Sequence, residues 1–246
     1  MIPRFLFLTS LTAMLLSVTA YADVFPLVID GKLDDGSYYK STLLVQPATD
    51  NVTSCEVYGV GNVPLSLTIV PGSFYSYATP GTSPLKVNYA VVGCSFPATI
   101  QMNVGHYASD GTPIAVNGMN PGKLSGGFTL PVDTSQGQKV GFSIVNPTST
   151  SRSYNLALGG QTRTVTIEAG SQLTLFADQL FDQPNDTPRP DLLTMFSSDC
   201  SGFYVQGVNF TGTTSSAMTA GTIPPACPGE QGEKDDAASD ESQNIL

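Results

Sequence analysis

The sequence predicts an all-β chain, built as two tandem immunoglobulin-like antiparallel β-sandwich units with a disordered acidic C-terminal tail. Three observations predict it. The stretch Val45 to Tyr77, VQPATDNVTSCEVYGVGNVPLSLTIVPGSFYSY, recurs in pattern as Val145 to Phe176, VNPTSTSRSYNLALGGQTRTVTIEAGSQLTLF. Short runs with an apolar residue at every second place follow one another through the chain, each closed by Gly, Pro, Asn or Asp, which is the punctuation of strands and tight turns. Only DQLF, from Asp178 to Phe181, reads as a helical turn. A repeat of about 100 residues marks duplicated domains, since solenoid repeats are shorter.

The elements follow in order. Residues 1–22 read as an export signal: Arg4 gives the positive start, Phe5 to Val18 the apolar run, and Ala20-Tyr21-Ala22 the small-x-small cleavage site, too short a run to anchor in a membrane. The mature chain is then expected to begin near Asp23. The first unit, 23–126, opens with a strand from Val24 and an acidic turn containing Asp30-Gly31 and Asp35-Gly36. A second strand follows, with Tyr39, Ser41, Leu43 and Val45 on one face. Thr53 to Tyr58, Leu65 to Val70, Phe74 to Tyr77, Val87 to Val92 and Thr99 to Val104 complete about seven short strands, the number of an immunoglobulin-sized sandwich. Gly105 to Gly127 is rich in Gly, Asn and Pro, holds one strand at Pro113 to Val116, and marks the boundary.

The second unit, 127–228, opens with Phe128 to Val132 and repeats the order through Lys139 to Val145, Ser153 to Leu158, Thr162 to Glu168, Gln172 to Phe176, Leu192 to Phe196 and Gly202 to Phe210. Residues 229–246, GEQGEKDDAASDESQNIL, are acidic and almost without large apolar side chains, the composition of a disordered tail.

Ten basic residues against twenty acidic ones give a formal net charge of −10. Nucleic acid and anionic membranes both require a basic footprint, so neither is expected as a partner, and no membrane insertion is expected after signal removal. The partner is an unidentified protein or glycan. Four cysteines, Cys55, Cys94, Cys200 and Cys227, enter an oxidising compartment on export, whether periplasmic or extracellular, and form disulfides by default. Pairing Cys55 with Cys94 and Cys200 with Cys227 closes one loop within each unit. No Cys-x-x-Cys spacing suggests a metal site.

The runs FPLVIDGKLDDGSYYKSTLLVQPATDNVT, FTLPVDTSQGQKVGFSIVNPTSTSRSYNLAL, TVTIEAGSQLTLFADQLF and LLTMFSSDCSGFYVQGVNF resemble an uncharacterised tandem β-sandwich unit of secreted and surface proteins of environmental bacteria. Its pattern is approximately FPxxxDGGGYxTxLxLxNPS in the first half and LPAGxxxxFLxELFP in the second. The resemblance covers most of the mature chain, implies paired β-sandwiches, and brings no catalytic residue. The four cysteines depart from that pattern, as does the first hairpin, which lacks its Gly-Gly positions.

Few residues offer chemistry. His106 is the sole histidine and no Gly-x-Ser-x-Gly elbow is present, so a hydrolytic triad has only one residue to build on; the plainer expectation is a solvated strand end. Asp30, Asp34 and Asp35 crowd one turn and could offer oxygen ligands to Ca²⁺, although their spacing is not that of an EF-hand, and a solvated acidic turn is expected instead. A sugar-binding face would use aromatic rings. Trp is absent, leaving Tyr38, Tyr39, Phe74, Tyr75, Tyr77 and Tyr107, of which Tyr75 and Tyr77 share one face of one strand and are the candidate ligand contacts. The same alternation fits half-buried packing. The sequence thus points to a secreted, non-enzymatic structural or interaction module of the bacterial cell envelope or extracellular space, without cofactor, with a carbohydrate-binding module and, more remotely, a hydrolase as alternatives.

Overall fold

The computed structural model describes residues 21–133, 138–181, 191–197, 201–211, 214–218 and 221–223. The expected leader before Tyr21, the Cys200 to Cys227 pairing and the acidic tail lie outside these residues. The chain divides into two compact units, Met1–Gly105 with Gly118–Pro121 and His106–Asn117 with Gly122–Leu246. Both are all-β, and the sheets are antiparallel.

The strands of the first half are β1 (Tyr21–Lys32), β2 (Tyr38–Pro47), β3 (Thr53–Tyr58), β4 (Leu65–Ile69), β5 (Tyr75–Ala78), β6 (Lys86–Cys94), β7 (Ala98–Tyr107) and β8 (Pro113–Met119). They run in the order β4-β3-β6-β1-β2-β7-β8, with β5 on the side of β2, and the sheet curls into a half-barrel. The curl starts in β1. That strand pairs with β6 from Tyr21 to Asp30, but with β2 only at Gly31 and Lys32. Its register slips between Phe25 and Val28, where Pro26 has no N–H for the ladder and a bulge absorbs the extra residue. At the crossing, Gly31 has φ 125° and packs so tightly that a Cβ would come within 2.6 Å of the Ser83 and Pro84 carbonyl oxygens, so only glycine fits.

Where β1 and β2 diverge, a side chain replaces the ladder. Ser41 is fully buried; its hydroxyl accepts from Ile29 N–H at 2.9 Å and donates to Ile29 C=O at 2.9 Å. Ser41 N–H in turn donates to Thr79 Oγ1 at 3.0 Å. Backbone groups that would be orphaned in the interior are thereby satisfied.

The strands of the second half are β9 (Gly127–Val132), β10 (Gln138–Val145), β11 (Arg152–Leu158), β12 (Gln161–Ile167), β13 (Gln172–Phe176), β14 (Asp191–Ser197), β15 (Tyr204–Thr211), β16 (Thr214–Met218) and β17 (Gly221–Ile223), with the helical turn α1 (Ala177–Leu180) after β13. They form two sheets, β12-β11-β14-β9-β17 and β13-β10-β15-β16. Between them lies a core of Phe128, Leu130, Phe142, Ile144, Tyr154, Leu156, Phe181, Leu193, Met195 and Phe203. Phe203 meets Tyr154 edge-on at 5.4 Å and Phe128 at 6.1 Å between ring centroids, the arrangement aromatic quadrupoles favour.

The repeat seen in the sequence is a repeat of pairing. β3 pairs with β4 and β6, and β6 with β1; β11 pairs with β12 and β14, and β14 with β9. Likewise β2 pairs with β5 and neighbours β7, as β10 pairs with β13 and β15. This order differs from that of an immunoglobulin domain, in which the first strand pairs with the second; here β1 and β9 pair chiefly with β6 and β14. The expected strand at Pro113 to Val116 extends to Met119, and β16 and β17 were not anticipated. Their Thr, Ser and Gly lack the apolar alternation that reveals a strand.

Candidate functional site

Counting inward from Ile69 and Ile167, the last buried residues before the turns Pro71-Gly72 and Ala169-Gly170, Cys55 opposes Leu67 as Tyr154 opposes Val165. On the other side Cys55 opposes Cys94, and Tyr154 opposes Ser197. The counterpart of Cys94 in the pairing is therefore Ser197. The Cys55–Cys94 disulfide is formed, spans 39 residues of sequence, and both cysteines are 1% exposed.

Tyr75 and Tyr77 lie on β5, directly opposite Val45 and Leu43, both 0% exposed. Opposed residues of an antiparallel pair share a face, so the two tyrosines turn to the interior side of β2 and are half-buried. The Tyr77 hydroxyl reaches the loop after β3, where a Cβ on Gly61 would stand 3.1 Å away. Phe74, just before β5, is 71% exposed. Tyr38 carries the Lys40 ammonium 5.2 Å from its ring centroid, and burial, reinforced by Asp35, pushes the Tyr39 phenol above its ordinary range. Tyr107 ends β7 half-buried.

His106 is a correction. It is not a solvated strand end: it lies inside β7 and is 8% exposed. The three aspartates also take separate tasks. Asp30 Oδ1 accepts from Gly81 N–H at 2.7 Å, and Asp35 Oδ1 accepts from Ser37 N–H and Oγ–H at 2.9 and 2.6 Å, closing an Asx turn. Asp34 is exposed. Among the described residues no three His, Cys, Asp or Glu come together as a metal site.

What sequence reasoning missed is a surface of the second unit. In β12-β11-β14-β9, alternation sends Tyr154, Leu156, Leu193, Met195, Phe128 and Leu130 into the core. The other face shows Thr162, Thr164 and Thr166 on β12, then Ser153, Asn155 and Ala157 on β11. Beside them lie Leu192, Thr194 and Phe196 on β14, and Gly127, Thr129 and Pro131 on β9. None of these residues is charged. Ser153 Oγ and Thr166 Oγ1 share a hydrogen bond of 3.0 Å, and Thr164 Oγ1 donates to Asn155 Oδ1 at 2.8 Å. Phe196 opposes Gly127, and a Cβ there would lie 2.8 Å from the Phe196 ring. The ring thus sits close against the Gly127 backbone while remaining 49% exposed. Arg163, between Thr162 and Thr164 on the edge strand, alternates to the other side of the sheet and donates to the Thr162 carbonyl and Gln161 Oε1. Its signal in the sequence was Thr162-x-Thr164-x-Thr166; the flanking rows come together only through pairing.

The equivalent face of the first unit is different. Glu56 stands on it, accepting from Ser66 Oγ–H at 2.8 Å, with Ser54 bound to Ser95 alongside. Among the described residues no helix is long and apolar enough to cross a membrane. No protein-family model, curated protein or solved structure matches the chain.

Proposed function

We propose that the chain is an exported, non-enzymatic interaction module of the cell envelope or extracellular space, made of two β-sandwich units in tandem. The units are immunoglobulin-like in size and strand number, with a pairing order of their own. The observation that carries the reading is the exposed, uncharged outer face of β12-β11-β14-β9, displayed on a sheet whose other side is core. The dispersal of the acidic and histidine candidates into turn and strand positions supports a non-enzymatic role. The formed disulfide supports an oxidising location, in keeping with the export signal expected in residues 1–22 and with the resemblance to secreted bacterial units.

The test is expression of the full chain in a bacterial host, followed by fractionation and N-terminal sequencing. The expected product lies outside the cytoplasm, begins at Asp23, and turns over no substrate in broad ester and glycoside panels. Cytoplasmic retention with free thiols, or turnover abolished by His106→Ala, would sink the reading.

A further inference from the structure

A sheet face in water ordinarily mixes charged residues of both signs among its polar ones. The outer face of β12-β11-β14-β9 has hydroxyl and amide side chains in their place. With strands about 4.8 Å apart and alternate residues about 6.7 Å apart along each strand, Thr162, Thr164 and Thr166 form one row and Ser153 and Asn155 continue the next. The bonds Ser153 to Thr166 and Thr164 to Asn155 fix these side chains before any ligand arrives, which lowers the ordering cost of binding. Because Asn155 Oδ1 is engaged by Thr164, the amide presents its N–H₂ end away from β12. Phe196, opposite Asn155 on the next strand, packs against Gly127 and remains 49% exposed.

From this we infer that the face binds a neutral, extended polysaccharide. The inference rests on the interaction-module reading above and names the partner class for that surface. A ligand for this face must be uncharged, because nothing there offsets an ionic group on desolvation. It must bring hydroxyls to match rows of hydroxyl and amide groups, which act as both donors and acceptors. It must also offer an apolar C–H face to the Phe196 ring, and it must be long and flat, since these residues form an open sheet surface. A pyranose polymer meets all four conditions. An anionic glycan fails the first.

The experiment is retention of the purified full chain on insoluble cellulose and chitin, with polygalacturonate as the anionic comparison, while soluble reducing ends are assayed in the same tubes. Expected is retention on a neutral polymer and not on polygalacturonate. Phe196→Ala and Thr164→Lys should each weaken it about ten-fold, whereas Thr68→Lys, on the matching edge strand β4, leaves it unchanged. Thr164 is exposed, so its variant keeps the test valid should Phe196→Ala impair folding. No retention on either neutral polymer overturns the ligand assignment, as does retention indifferent to both variants. A dimer in sedimentation that Thr164→Lys dissociates overturns it too, because a second copy then covers the face. Failure of retention without turnover leaves the interaction-module reading standing; retention with release of reducing ends overturns its non-enzymatic character and keeps the ligand.

Discussion

The two units solve one problem of construction by different chemistry. At the place where β3 and β6 meet, the first unit sets a covalent bridge, Cys55–Cys94; at the matching place on β11 and β14 the second unit sets a wholly buried Tyr154 against Phe203, whose ring also meets Phe128. The turn that leads into β3 and β11 diverges as well. Gln46, before Pro47, is exposed. Asn146, before Pro147, is 0% exposed: its amide donates to the carbonyls of Thr150, Ile167 and Glu168 at 2.8, 3.0 and 3.1 Å and accepts from Thr148 N–H and Oγ–H. One frame therefore accommodates a covalent tie with an exposed Gln46 before the turn, or a non-covalent core with a buried, multiply bonded Asn146 in the same place. What the frame requires is the pairing order, and each copy secures that order with its own residues.

The comparison can be broken most severely at Tyr154. Tyr154→Ala leaves a cavity under Phe203 and is expected to cost about 4 kcal/mol, read by urea denaturation, with amide exchange rising first in β11 and β14. A loss under 1 kcal/mol would show that the ring is not the counterpart of the disulfide. The second test is the bridge itself. Cys55→Ser with Cys94→Ser is expected to cost about 3 kcal/mol, since a bridge over a loop this long restricts the unfolded chain strongly, and the increase in exchange should centre on β3 and β6. The smallest effect sharpens the contrast between the turns. Asn146→Ala orphans buried carbonyls and is expected to cost about 2 kcal/mol, whereas Gln46→Ala should stay within about 0.5 kcal/mol; equal losses would mean the turns are held alike.

Much of this was legible before the fold was known. Thr53 to Tyr58 and Gln172 to Phe176 are strands over their expected spans, because a half-buried strand records its own burial in alternation. The disulfide of the first unit followed from the repeat. Three things were not local enough to read. The passage of β1 from β6 to β2 depends on what lies beside Pro26 and Gly31 in space. The burial of Asn146 depends on carbonyls some twenty residues away. The uncharged face was hidden because threonines that favour a strand and threonines that display a surface are written in the same letters; only the neighbours Ser153, Asn155 and Phe196, brought in by register, tell them apart.

The first rungs of β1 carry a consequence for the proposed cleavage before Asp23. Tyr21 and Ala22 pair with Cys94 and Gly93, so a chain trimmed to begin at Asp23 surrenders those two rungs and leaves that end of β6 held from one side only, by β3. Cys55 is the β3 residue directly opposite Cys94. In a chain trimmed in that way, the bridge would be a rivet set at the bared margin, holding that end of β6 to β3.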